Sequence, residues 1–365
     1  MAEIYEFLPT IQRIECIEFK ETQMNWEIAL FLGQDGLVNG VIYGLLAIAL
    51  VLVFMVTRVI FISQGDLVAY AALSMAALGG TKTPGTFWLL VCLASIVLFT
   101  EVWRWKHGIE VDWKTTFIWT LFFPAIAAFC IYVLPPESVI CNILATIFII
   151  TPLGPLLYRF VFRPIASSSV LFLLIAAVTL HGILVGFSLL FFGAEGWRIP
   201  LFTEQSLNIG NVAIKGQSLI VVFVTIFLVA LLFVFFEKNI FGKALRATAI
   251  NRTGARLVGI PIEFCGDLSF AMASFIAAIS GILIASLSTI YYDTGFLIGL
   301  KGFVAAIIGG LVSFPLSLFG ALLVGQLEAF SSFWASAYKE VIVFTLIVPV
   351  LFWRSFRSRH VEDDE

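Results

Sequence analysis

Residues Phe241–Ile262 read FGKALRATAINRTGARLVGIPI, and the fold follows from what surrounds them. Lys243, Arg246, Arg252 and Arg256 crowd together here, between the long apolar runs Leu219–Phe236 and Leu268–Ile290. A short basic segment flanked by spanning runs belongs on the cytoplasmic face of a membrane. Ala244, Leu245, Ala249 and Leu257 favour helix, and Gly259 followed by Pro261 stops it. Small side chains at Ala244, Ala247, Ala249, Gly254 and Ala255 leave a slim surface that a partner can cover closely. Two readings stand at this point: charges that merely set topology, or a docking segment.

Composition fixes the class. The chain is 61% hydrophobic and 12% charged, with a mean hydropathy of +1.05. Its apolar runs of roughly 15 to 25 residues are the length of membrane-crossing helices, and they lack the strict alternation of barrel strands. Cys16, Cys92, Cys130, Cys141 and Cys265 are dispersed, with no metal-binding spacing. They read as small packing residues. The expectation is therefore an all-α polytopic membrane protein with no nucleic-acid partner and no metal site. The opening residues carry acids where a cleavable signal would carry an apolar core.

Taken in order, 1–36 is an acidic amino-terminal extension, and the transmembrane body runs over 37–353. Spans are expected at Leu37–Val56, Ile60–Gly80, Phe87–Val102, Thr116–Leu134, Ser138–Tyr158, Ser169–Phe192, Leu219–Phe236, Leu268–Ile290, Leu316–Trp334 and Val341–Trp353. Gly36, Gly40 and Gly44 share one helix face and permit close contact. Trp103, Trp105 and Trp113 mixed with Arg104, Lys106 and Lys114 read as an interfacial loop, and Arg159 and Arg163 mark the same side. The stretch 193–217 is the longest external polar loop, and 354–365 is a basic cytoplasmic tail. The apolar run Phe303–Ile308, interrupted by Gly309, Gly310 and Pro315, reads as a broken or re-entrant helix near 300–312. The total is about eleven membrane-crossing segments, amino terminus outside and carboxyl terminus inside.

No GxxxxGK[ST], HExxH or GxSxG motif occurs, so the chain is not expected to be an enzyme or to bind ATP. Transport needs polar groups within spans. The pathway candidates are Asn39, Tyr43, Gln64, Asp66, Thr179, His181 and Glu328, with Gln326 and Lys301 also in apolar surroundings. Each has a plainer role. Asn39 and Thr179 could bond between helices, Asp66 could cap a helix start, His181 could satisfy a carbonyl, and Lys301 could snorkel from a boundary. Glu328, midway along its run, is the hardest to explain so.

Three stretches resemble the permease subunit of the branched-chain amino acid, LivH-like ABC importers. They are Gly36–Leu73, Phe162–Leu180, and the long region from GKALRATAINRTGARLVGI through GFLIGLKGFVAAIIGGLVSFPLSLFGALLVGQLEAF to YKEVIVFTLIVPVLFWR. The resemblance implies that 241–262 is the coupling segment, with Lys243, Arg246, Asn251, Arg252, Arg256 and Gly259 at the ATPase contact. It further implies a second LivM-like permease subunit, two cytoplasmic ATPase subunits carrying ATP and Mg, a periplasmic solute-binding protein, and a bacterial inner-membrane location. The amino-terminal extension and 102–150, which reads as an inserted helical hairpin, depart from the family pattern. The substrate expected is a branched-chain or other hydrophobic amino acid, or a related small polar solute. The competing class is an ATP-independent channel or secondary transporter for urea, an amide or a carboxylate. A non-transporting scaffold is disfavoured by the broken helix.

Overall fold

The computed structural model describes residues 26–357 apart from 110, 134, 136, 137, 204, 210 and 211. Among the described residues, eight helices are long and apolar enough to cross a membrane. They are α1 (Trp26–Thr57), α3 (Gly85–Lys106), α4 (Trp113–Tyr132), α5 (Val139–Phe162), α6 (Val170–Phe192), α7 (Gly216–Lys238), α10 (Ile262–Ala285) and α12 (Phe314–Trp334). Shorter helices fill the remainder: α2 (Gln64–Gly79), α8 (Ile240–Ile250), α9 (Arg252–Leu257), α11 (Thr294–Ile308), α13 (Lys339–Thr345) and α14 (Ile347–Arg357).

Two expectations about the ends need correcting. The first helix starts at Trp26, well before the expected boundary at 37, so the extension is cut to 1–25, which lies outside the described residues. The all-α expectation meets one exception among the described residues: within 193–217, β1 (Ser206–Ile209) and β2 (Val212–Lys215) form an antiparallel hairpin.

The glycine stripe works as the spacing predicts. A Cβ added at Gly36, Gly40 or Gly44 would meet Gln326, Leu322 or Leu318 respectively. Rising numbers on α1 meet falling ones on α12, so the two helices pack antiparallel and at close range. Together with α2 and α10 they make the centre of the bundle, where α1 is buried from Val38 to Val53 almost without interruption. By contrast α6 and α7 present Leu171, Ile175, Phe223 and Phe227 outward, as lipid-facing helices do. Three helices change their winding. Turns of π-helix occupy Ile118–Phe122 in α4 and Tyr158–Phe162 in α5. The expected single span Val341–Trp353 is divided at Leu346 into α13 and α14, because Pro349 has no N–H to give the carbonyl one turn back.

The second span was expected from Ile60, but α2 begins only at Gln64. Residues 58–63 run non-helically back into the bundle from the end of α1, starting from Arg58 at φ 63°. The depth of the α2 start is fixed by its partners. Gln64 Nε2 donates to the carbonyl of Ala273, midway along α10 (2.8 Å), and Ser63 Oγ donates to that of Ala177, inside α6 (3.3 Å). Higher up, Tyr70 donates to Leu184 (2.6 Å) and Gly281 packs on Val68 and Ala71. Thus α2, α6 and α10 run in the same direction, and α2 starts partway through the bundle. At 16 residues it is about 24 Å long, short of a bilayer core of about 30 Å.

The expected broken helix near 300–312 takes a particular form. The apolar run 303–308 is the last part of the longer helix α11, which ends at Ile308. Gly310 and Leu311 then adopt φ of 72° and 60°, and α12 begins at Phe314 with Pro315 in its first turn. The left-handed pair reverses the chain, and Pro315 can start a helix but not continue one. Gly65 at the α2 start sits against Gly295 and Gly299 of α11, so two interrupted helices meet backbone to backbone inside the bundle.

Candidate functional site

Both ends of the bundle carry polar structure. At one end lie the 193–217 loop, the end of α10 and the starts of α1, α11 and α13. A cavity of about 450 Å³ opens here. Its polar wall is a buried network. Lys301 Nζ donates to Glu328 Oε1 at 2.6 Å and to Glu340 Oε1 at 3.1 Å, and the Tyr43 hydroxyl donates to Glu328 Oε2 at 2.6 Å. The Lys301 side chain is 6% exposed and that of Glu328 12%; Glu340, at the rim, is 33% exposed, and its Oε2 has no partner. Lys301 therefore does not snorkel from a boundary as expected. Gly302, packed on Leu46 of α1, sets α11 close enough to α1 for the lysine to reach inward.

Asn39 and Tyr43 line this cavity with Glu328, and Asp35, Lys215 and Lys339 add further charges around it. Ile42, Leu297 and Ile298 supply its apolar side. Cations and carboxylates thus surround a space with one greasy wall. Gln326, also singled out, lies outside the lining and donates to the carbonyl of Gly33 at 3.0 Å.

Of the remaining pathway candidates, Gln64, Asp66 and His181 lie across α11. Asp66 does not cap α2; the N-cap is Ser63, which makes no side-chain cap. Both Asp66 oxygens instead face His181 Nδ1, at 2.9 and 2.8 Å, and Phe296 stacks on the imidazole with ring centroids 4.5 Å apart. His181 thus pairs with a carboxylate where a carbonyl was expected. Gln64 shares this level, with its Oε1 buried and unpartnered. Thr179 is apart from both groups: it bonds its own helix at Ile175 (2.9 Å) and faces outward. So α11 is a shared wall, with Phe296 on the Asp66–His181 pair and Lys301 on the cavity.

The opposite end holds the basic segment. It is two helices rather than one, broken at Asn251, whose extended backbone (φ −149°, ψ 102°) ends α8 while its side chain caps the Gly254 N–H at 2.8 Å. The buried face of α8 is Gly242, Leu245 and Thr248, and Leu245 packs on Leu52 and Val56 of α1 and Cys265 of α10. Arg246 turns back onto the α7 end, to the Phe236 carbonyl and to Glu237 (3.0 Å). Gly259, at φ 84°, terminates α9 in a conformation that L side chains avoid. Ile240, Ile250, Leu257 and Val258 are each more than three-quarters exposed, with Lys243 also on the surface.

One set of charged residues was read only as topology markers. Arg159, 7% exposed, forks onto Asp267 (Nε at 3.1 and 3.0 Å, Nη2 at 2.5 Å) and also donates to Thr116 (2.8 Å) and Thr115 (2.9 Å). Arg163 bridges Glu101 (2.9 Å) and Glu263. These bonds fasten α4, from the expected 102–150 hairpin, to α3, α5 and α10. The available signal was lone charges of opposite sign inside apolar runs, Arg159 in LLYRFVF and Asp267 in FCGDL; Glu340, beside a lysine at a helix start, had no such signal.

A bundle of apolar helices with interrupted members, interior ion pairs and a charged cavity is the class of multi-pass membrane permeases. The profile of the family described as branched-chain amino acid transport system / permease component matches residues 34–351. The chain belongs to that family, a family of transport components and not of enzymes. It is 29% identical over 228 residues to the high-affinity branched-chain amino acid transport system permease protein BraD of Pseudomonas aeruginosa, covering 60% of this chain and 74% of BraD. It is 30% identical over 200 residues to the LivH permease protein of Escherichia coli K12, covering 53% of this chain and 65% of LivH. A chain of PsaBC from Streptococcus pneumoniae in complex with Fab aligns over 87% of this chain and 90% of its own, at 14% identity and a TM-score of 0.36, too low to carry an argument.

Proposed function

We propose that this chain is the membrane-spanning subunit of an ATP-driven importer for a branched-chain or other hydrophobic amino acid, or a related small polar solute. The observation that carries the reading is the cavity beside Tyr43, Lys301 and Glu328. Fixed cations and carboxylates around one apolar wall match a zwitterion with an apolar side chain, and the names of the relatives agree. Asn39 and Tyr43 form the entry wall, and the Gln64, Asp66 and His181 level, reached across α11, is a second part of the route. Thr179 faces away from it and has no part in the route. Movement of α11 between α2 and α12 would open the two levels alternately.

In this reading the basic end is cytoplasmic and the cavity opens outward. Adding α2, α11 and the α13–α14 pair to the eight long helices gives eleven crossings, amino terminus outside and carboxyl terminus inside. The outward face of α8 and α9, with Ile250, Leu257 and Val258 exposed beside Lys243, docks on an ATPase subunit. Arg246, Asn251 and Gly259 hold its shape. Two such ATPases carry ATP and Mg, a LivM-like subunit completes the membrane core, and a periplasmic solute-binding protein delivers the substrate. The membrane is then the bacterial inner membrane.

The test is leucine uptake into proteoliposomes holding the full complex, with the binding protein added outside. Uptake should require ATP, and Ile250→Asp should abolish both uptake and recovery of the ATPases while the chain stays folded. Solute flux through this chain alone without ATP would overturn the reading in favour of a channel or secondary transporter.

A further inference from the structure

A second cavity, of about 410 Å³, lies at the basic end between the α5–α6 turn and α9. Arg163, Arg252 and Arg256 line it together with Ser167, Thr253 and Glu263. With Glu101 paired to Arg163 from outside the lining, three cations stand against two carboxylates, and the site is net positive. Arg163 spends its Nη atoms on Glu101 and Glu263, and its Nε is buried without an acceptor. Arg252 and Arg256 form no ion pair among the described residues. Arginine forks with hydroxyls at their side are the donor set of a phosphate site.

The surroundings say where that phosphate comes from. Glu101, which Arg163 grips, is followed on α3 by Trp103 and Trp105, both more than half exposed. Exposed tryptophans among basic residues mark the level of lipid headgroups. Just past Ser167, α6 begins with Val170, Leu171 and Phe172 turned outward. On the same α5–α6 hairpin, Val161, Phe172, Ile175, Ala176 and Ile183 line an open apolar groove of about 280 Å³. The arginine cavity is thus at headgroup depth, and the hairpin that contributes to it also carries an apolar groove suited to an acyl chain. Basic pockets between helices at that depth take anionic lipid headgroups. An acidic side chain of a protein would satisfy the arginines but has no use for the groove.

We propose that this cavity is a binding site for the phosphate of an anionic phospholipid, held by Arg163, Arg252 and Arg256. The site leaves the outward apolar residues of α8 and α9 free for docking, so it stands whether or not the transport reading does.

The experiment is native mass spectrometry of the full chain released from nanodiscs of phosphatidylcholine mixed with phosphatidylglycerol. Arg252→Gln/Arg256→Gln is compared with Lys106→Gln/Lys114→Gln, which removes the same charge from the same end outside the cavity. The wild type should retain phosphatidylglycerol selectively, and the arginine variant should lose it about tenfold while the lysine variant keeps it. Excess inorganic phosphate should not displace the lipid; displacement would assign the site to a soluble anion. Equal loss in both variants would reduce the effect to general surface charge. Unchanged lipid retention in the arginine variant, accompanied by loss of ATPase subunits in detergent, would give the cavity to a protein contact. Any of these three results overturns the proposal.

Discussion

Replacing Lys301 by Met should destabilise the folded chain by about 3–5 kcal/mol, the usual cost of leaving a buried charge without its partner. The structure says which bond matters. Glu328 is nearly enclosed and lies 2.6 Å from the ammonium, whereas Glu340 is a third exposed and 3.1 Å away. Water can take over from the lysine at Glu340, so Glu340→Gln should cost about 1 kcal/mol or less. At Glu328 the Tyr43 hydroxyl is the one donor that remains among the described residues. Removing both charges, as Lys301→Met/Glu328→Met, should recover most of the loss, since apolar replacement of a whole buried pair is often neutral. What is left is roughly 1 kcal/mol for the hydroxyl that loses its acceptor. The assay is unfolding in mixed micelles of increasing sodium dodecyl sulfate, followed by tryptophan fluorescence, with wild type, Lys301→Met, Glu328→Met and the double variant forming a double-mutant cycle. A Lys301→Met protein as stable as Glu340→Gln, or a double variant no better than the worse single one, would refute a dry ion pair at this place.

Gly65→Ala should cost about 1–3 kcal/mol, the usual effect of overpacking, and abolish uptake. Its Cβ would fall on the Gly295 carbonyl oxygen and within 2.8 Å of Gly299, backbone that cannot rotate aside; retained uptake in proteoliposomes would show that α2 and α11 can separate freely. Asp267→Asn should cost about 3–5 kcal/mol by stranding the buried Arg159, against about 1 kcal/mol for Thr116→Val, which removes one of its several bonds. The same micelle titration ranks the two, and equal losses would mean the threonine is the main tether of α4.

What the residues disclosed, and what they hid, follows from the range of each interaction. The glycines at 36, 40 and 44 announce a close helix contact because their period is local, although the partner face of α12 is not written in it. The start of α2 was misplaced because residues 59–62 are apolar and read as the opening of a span; the bonds that Ser63 and Gln64 make to Ala177 and Ala273, far along the chain, fix where the helix begins. Lys301 stood beside a plausible boundary, and nothing near it in sequence says that Glu328 and Glu340 wait across the bundle. The basic segment was legible as basic and helical. Its break at Asn251 depended on a side-chain cap that competes with continuing the helix.

The interior start of α2 has a consequence for how the protein is made. A 16-residue helix is too short to be released into lipid by itself, and the polar side chains of Ser63, Gln64 and Asp66 at its start have no water to turn to there. The groups that receive this start, Ala177 and His181 on α6, Ala273 on α10 and Gly295 on α11, are all synthesised after it. The order in which segments settle in the bilayer therefore differs from the order in which they leave the ribosome: α2 must be kept in a protected, unsettled state until the second half of its own chain arrives to receive it.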